Sequence, residues 1–155
     1  MDQLVRLLPT GHRLAYAMLG NGHEAEDAVQ DAAFSAWRSA HRFRPNSEMR
    51  PWFLTIVANE CRQRRRSRWW SVSKVTDVQP HLTPDPGVEE EAADLRSALR
   101  RLPTDMRLVL ALRYYLDLPF DEMARTLKCS PQAAKSRTHR ALQRLKLEVP
   151  KDFDS

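Results

Sequence analysis

Three groups of side chains in this sequence have types and spacings that could do chemistry. At helical spacing, Gln132, Lys135, Ser136, His139, Arg140 and Gln143 share one side, and every one of them can donate a hydrogen bond. Such a face suits phosphate oxygens and base edges in a DNA groove. A second stripe, Thr55, Asn59, Arg62 and Arg66, puts a hydroxyl, an amide and two guanidiniums in line, able to contact bases and backbone together. Arg64, Arg65, Arg68, Trp69 and Trp70 extend that basic run and add aromatic faces on which an unpaired base can stack. The third group is acidic: Asp27, Gln30 and Asp31 lie beside Phe34 and Arg38 on one side of a helix. Carboxylates four residues apart repel each other, and a solvent-facing Phe gains nothing in water. That combination suits a protein partner better than DNA.

Enzyme chemistry finds little to work with. The carboxylates are scattered or lie on helix surfaces, the five histidines stand singly, and no Ser-His-Asp arrangement is visible. Cys61 and Cys129 are far apart and fit neither a CxxC nor a Cys-His metal spacing. They read as structural thiols, and neither a metal nor a cofactor is expected. No apolar run approaches the length of a membrane span, and no signal-type segment opens the chain. The expected location is cytoplasmic.

The elements that position these groups read as helices throughout. Four glycines in 155 residues and no sustained period-two alternation argue against strands. In the first part, breaks are expected near Pro9, at 20–22 and at 45–51. A helix over 24–40 turns Ala25, Ala28, Val29, Ala32, Ala33 and Ala36 inward, and one over 52–66 buries Phe53, Leu54, Val57 and Cys61. In the last part, one helix spans 92–102, Thr104 caps another running to Tyr115, a third starts near Pro119, and a fourth runs from Ser130 to about Leu147. Ser130 followed by Pro131 is a strong start, because the hydroxyl caps free amides and Pro sits where its missing N–H costs nothing. Ala134, Thr138, Ala141, Leu142 and Leu145 form the inner face of that helix, packed on Met123, Ala124 and Leu127 across a short Lys128-Cys129 turn. Two helices joined this tightly read as a helix-turn-helix whose second member enters the major groove. Arg137 points nearer the first helix of the pair and is expected to bond Glu122.

Between the two parts, Pro80, Pro84, Pro86 and Gly87 interrupt the pattern. Residues 1–70 carry net charge +4, residues 71–94 carry −5, and residues 95–155 carry +6, within a total of +5. The expected fold class is therefore all-α: two small helical domains, 1–70 and 92–150, joined by a flexible acidic linker over 71–91, the second domain containing the helix-turn-helix. The negative tether is expected to stay off DNA, either as a plain solvated spacer or folded back on the basic faces.

Taken together, the chain resembles the extracytoplasmic-function sigma factors of bacterial RNA polymerase. In the first domain the resemblance rests on Glu26-Asp27-Ala28-Val29-Gln30-Asp31, Trp37, Arg42-Phe43-Arg44 and Pro51-Trp52-Phe53 with Ile56 and Asn59. In the second it rests on Leu99 to Pro103, Arg107-Leu108-Val109-Leu110, Leu112-Arg113-Tyr114, Asp121-Glu122-Met123-Ala124, Lys135-Ser136-Arg137, Arg140-Ala141 and Leu145. It implies a region 2-like domain that docks on core polymerase through Asp27, Gln30, Asp31 and Phe34. It further implies that the loop from Phe43 to Pro51, with Thr55, Asn59, Arg62 and Arg66, handles the minus-10 element and a base flipped from it. The region 4-like domain would read minus-35 DNA through Gln132, Lys135, Ser136, His139 and Arg140, and an anti-sigma factor is an implied partner. Lys128 stands where the family commonly has Gly, so a left-handed backbone there would cost roughly 1 kcal/mol. A stand-alone helix-turn-helix regulator is the alternative reading, but it gives no role to Trp52, Asn59 or the acidic face.

Overall fold

The first helix, α1 (Asp2–Leu19), runs straight through Pro9 instead of breaking there. The reason is its apolar stripe: Leu4, Gly11, Leu14, Ala15, Met18 and Leu19 are all buried, while Pro9 itself faces solvent. The hydrogen bond that Pro cannot make is the one to Val5, also on the exposed side. This is a computed structural model, and it describes residues 2–44, 47–72 and 89–149, without the side chains of 68–72 and 89–91. The bulk of the expected linker, and the stacking role given to Arg68, Trp69 and Trp70, lie outside the described residues.

Gly20, with φ +71°, ends α1 in the left-handed region that favours glycine. Asn21 then caps α2 (Gly22–Arg38), its side-chain oxygen accepting from the Glu24 amide at 3.1 Å. The alanine face of α2 is inward as expected, except that Ala33 is only partly buried. After a 3-10 turn at Ala40–Arg42, α3 (Met49–Val72) starts before Pro51, which sits in its first turn where a missing N–H costs nothing. Phe53, Leu54, Val57 and Cys61 are fully buried against α1 and α2. The approach of α1 to α3 is close: a Cβ on Gly11 would lie 2.8 Å from the Phe53 ring.

The second domain comprises α4 (Glu89–Arg101), α5 (Thr104–Leu110), a π turn at Ala111–Tyr115, α6 (Phe120–Leu127) and α7 (Pro131–Glu148). Thr104 does not cap α5; Pro103 holds that position, and the Thr104 hydroxyl accepts from Arg65 Nε at 3.4 Å. The expected helix to Tyr115 is α-helical only to Leu110, after which the backbone widens. Between α6 and α7, Lys128 adopts φ 57° and ψ 48°, the strained left-handed turn expected of it. No strand occurs among the described residues.

The domains do not stand apart. One apolar cluster runs from Leu14, Phe53 and Leu54 of the first into Leu108, Leu112, Leu118 and Met123 of the second. A smaller cluster of Leu102, Leu110 and Ala141, with Leu99, Met106, Leu142 and Leu145 against it, closes α7 onto α4 and α5.

Candidate nucleic-acid interface

The second helix of the helix-turn-helix turns outward the polar side that its sequence implies. Ser130 Oγ accepts from the Ala133 amide at 3.0 Å, fixing the N-terminus of α7. Ala134, Thr138 and Ala141 are buried beneath, the Thr138 hydroxyl donating to the Ala134 carbonyl at 2.8 Å so that it is not left bare. Gln132, Lys135, Ser136, His139 and Arg140 are all exposed on the other side. Arg137 is exposed too and does not meet Glu122. That carboxylate is held by both Arg50 Nε and Nη2, from the other domain. Glu122 lies in the first turn of α6, on the side packed against α3, so the helix carrying Arg50 reaches it first.

The stripe on α3 is shared between solvent and the second domain. Asn59 is exposed and its side-chain oxygen accepts from Arg62 Nη1 at 3.1 Å. Arg62 Nε also donates to Asp105 at 2.8 Å, and the Thr55 hydroxyl lies 2.8 Å from the carbonyl of Thr126. Arg66 is exposed. Next to this stripe is a cavity of about 700 Å3 lined by Arg42, Phe43, Trp52, Thr55 and Asn59 from the first domain and by Arg125 and Lys128 from the second. The rings of Phe43 and Trp52 pack at a tilt of 45° with centroids 5.1 Å apart, giving it an aromatic wall. The sequence reading gave Arg42 and Arg44, flanking Phe43 in the sequence, and Arg125 and Lys128 no part in this site, yet all four cations line the cavity. Only the Arg-Phe-Arg alternation could have signalled the first two.

On α2 the acidic face is outward. Asp27, Gln30 and Asp31 are exposed, and Phe34 is 58% exposed with Trp37 at 55% beside it, centroids 6.3 Å apart. Trp37 enlarges the anchor that the sequence assigned to Phe34 alone. Asp31 is paired with Arg64 of α3, while Asp27 and Gln30 are exposed beside it. Burial pushes the Cys61 thiol up to about 12, with Arg64 opposing and Glu60 reinforcing, so it is an inert core group. The Arg50 guanidinium is raised further above its ordinary value, chiefly by its hydrogen bonds to Glu122. Among the described residues no group of three or more His, Cys, Asp or Glu side chains could hold a metal, and no helix is long and apolar enough to cross a membrane.

Comparison with known proteins decides the family. Residues 4–71 match the family model for Sigma-70 region 2, and residues 92–145 match that for Sigma-70 region 4. The ECF RNA polymerase sigma factor SigM of Mycobacterium tuberculosis is 34% identical over 135 residues, covering 86% of this chain and 68% of that protein. The chain belongs to the ECF sigma factors. EcfG of Rhodopseudomonas palustris, another member, is 30% identical and the match covers 93% of this chain and 81% of its own. SigE of Mycolicibacterium smegmatis is 31% identical, but the chain spans only 60% of it. Among solved structures, the sigma factor RpoE in complex with the anti-sigma factor NepR from Bartonella quintana superposes with a TM-score of 0.72 at 25% identity, covering 95% of this chain and 94% of that one. CnrH in complex with the cytosolic domain of CnrY superposes at 0.69 with 26% identity, covering 99% and 88%. The polar faces on α3 and α7 fall one in each of the two family-matched parts of the chain.

Proposed function

We propose that this sigma factor binds core RNA polymerase through α2, using Asp27, Gln30, Asp31 and Phe34, with Trp37 widening the aromatic anchor. Its α7 enters the major groove of the minus-35 element with Gln132, Lys135, Ser136, His139 and Arg140. The stripe of Thr55, Asn59, Arg62 and Arg66 on α3, with the Phe43–Trp52 wall, takes the separated strand and a flipped base at minus-10. The observation that carries this reading is the distribution of exposed polar faces: one in each family-matched part of the chain, with a separate acidic aromatic face for protein. Strand separation costs a few kcal/mol per unstacked step and is driven by preferential binding of the opened strand. It asks for no bond-making by this chain, and RNA synthesis stays with polymerase in the cytoplasm. An anti-sigma factor is the regulatory partner this reading implies, since the superposed sigma factor RpoE is in complex with one.

Run-off transcription with purified core polymerase tests the whole proposal. Two variants divide it. Asn59→Ala should weaken promoter opening, read by permanganate footprinting, more than core binding. Asp31→Arg should weaken core binding in a competition titration while the circular dichroism spectrum stays unchanged. Equal loss of both activities in Asn59→Ala would make that residue structural.

A further inference from the structure

The cavity beside α3 is out of electrical balance. Arg42, Arg44, Arg125 and Lys128 stand round it against one carboxylate, Glu48. That carboxylate is already taken, accepting from Arg125 Nη2 at 2.9 Å. The side chains of Arg42, Arg44 and Lys128 have no hydrogen-bond or ion-pair partner among the described residues. Lys128 stands out among them. Its backbone sits in the left-handed region that glycine adopts without strain, and its ammonium group gains no contact within the chain in return. Strained residues of this kind gather at ligand clamps. The Phe43 and Trp52 rings wall the same space, and Asn59, whose side-chain oxygen accepts from Arg62, keeps its Nδ2 hydrogens for a ligand. A volume of about 700 Å3 is that of a small-molecule site.

A single strand does not match this lining on its own. Its phosphates lie one charge per nucleotide along the backbone and call for cations strung along a groove. Cations gathered round the place of one base suit a ligand whose charge is clustered at one end. We propose that the cavity is a binding site for a free nucleoside polyphosphate. The base lies on the Phe43–Trp52 wall with an edge toward Asn59, and the phosphate chain lies among Arg42, Arg44 and Lys128, a lysine serving phosphate as a point charge. The inference rests on the reading of that wall as a surface for an unpaired base. A nucleotide held there excludes the flipped base, so it inhibits promoter opening by competition and leaves the α7 face free to meet duplex.

The test uses the full-length chain without magnesium, titrated calorimetrically with ATP, adenosine and inorganic tripolyphosphate. Because ATP joins both parts, it should bind at least about tenfold more tightly than either one. Lys128→Gln should weaken ATP about tenfold and leave adenosine as it was, with an unchanged circular dichroism spectrum. Arg44→Gln, on the other domain, should do the same and serves if the first variant folds poorly. In a competition read by anisotropy, ATP should displace a fluorescein-labelled oligothymidylate but not a labelled mixed-sequence duplex. Tripolyphosphate that binds as tightly as ATP would reduce the site to a patch for any polyanion and overturn the proposal. ATP affinity unmoved in both variants would overturn it as well. Oligothymidylate that binds and is not displaced by ATP would sink the nucleotide site while leaving the minus-10 reading in place. A chain that binds neither would fail that reading and the nucleotide site together.

Discussion

α7 turns all five of its candidate base-reading side chains to solvent, whereas α3 has two of its four, Thr55 and Arg62, engaged with the other domain. Both helices carry polar residues at the same period, and both sit on a small-residue or apolar face. The difference lies in what fixes them. The orientation of α7 is set within a few residues, by the Ser130 cap and the buried Ala134, Thr138 and Ala141. That of α3 is set by helices distant in sequence: α1 through Gly11 and Phe53, α2 through its alanine face, and α6 through Glu122 and Thr126. A polar stripe therefore names a surface but not the surface's neighbour, which can be water, nucleic acid or the other half of the same chain.

The contrast can be tested by perturbing each helix at its own support. Gly11→Ala should act on α3 with the largest effect, because the new methyl meets the Phe53 ring at 2.8 Å inside a packed core. Overpacking of this kind costs up to about 3 kcal/mol, visible as a lowered urea midpoint and as weaker oligothymidylate binding. Duplex binding by the folded fraction should be preserved; its loss would mean that α7 too depends on the first domain. Arg140→Ala should cost about 2 kcal/mol in minus-35 duplex binding, with stability unmoved because the side chain is exposed. An equal loss on oligothymidylate would erase the division between the two faces. Ser130→Ala should have the smallest effect, about 1 kcal/mol, felt as faster amide exchange in the first turn of α7 and a mild weakening on duplex. If the same substitution also changed exchange in α3, the capping of α7 would not be the local matter described above.

Much of the interface was legible because its causes are local. The Ser130-Pro131 start, the Lys128 turn and the inward Ala134, Thr138 and Ala141 follow from propensity and spacing, and so do the buried Phe53, Leu54, Val57 and Cys61. The exposure of Phe34 followed from helical spacing, which sets it opposite the alanine face of α2. What failed was non-local. Glu122 was matched to Arg137, fifteen residues on, when its partner Arg50 lies 72 residues away across the domain boundary. Pro9 read as a break because the local penalty is real, yet the buried stripe on both sides of it outweighs one lost hydrogen bond. The π turn after Leu110 had no signature in the sequence. It accompanies the Leu118 amide bonding back to the Leu112 carbonyl at 3.0 Å, a closure made by the following loop.

The apolar cluster that passes without interruption from Leu14 and Phe53 to Leu112 and Met123 has a thermal consequence. Two domains with separate cores would melt as two events. A core held in common makes the pair cooperative, so scanning calorimetry of the free chain should show a single transition, and two resolved peaks would count against it. Parting the domains without unfolding them bares part of that cluster to water, and exposure of apolar surface raises the heat capacity. The balance between the joined and parted forms is then curved in temperature: burial weakens in the cold and chain entropy grows in the heat. Chilling should loosen the hold of the second domain on the first, whereas warming carries both domains together into the one transition.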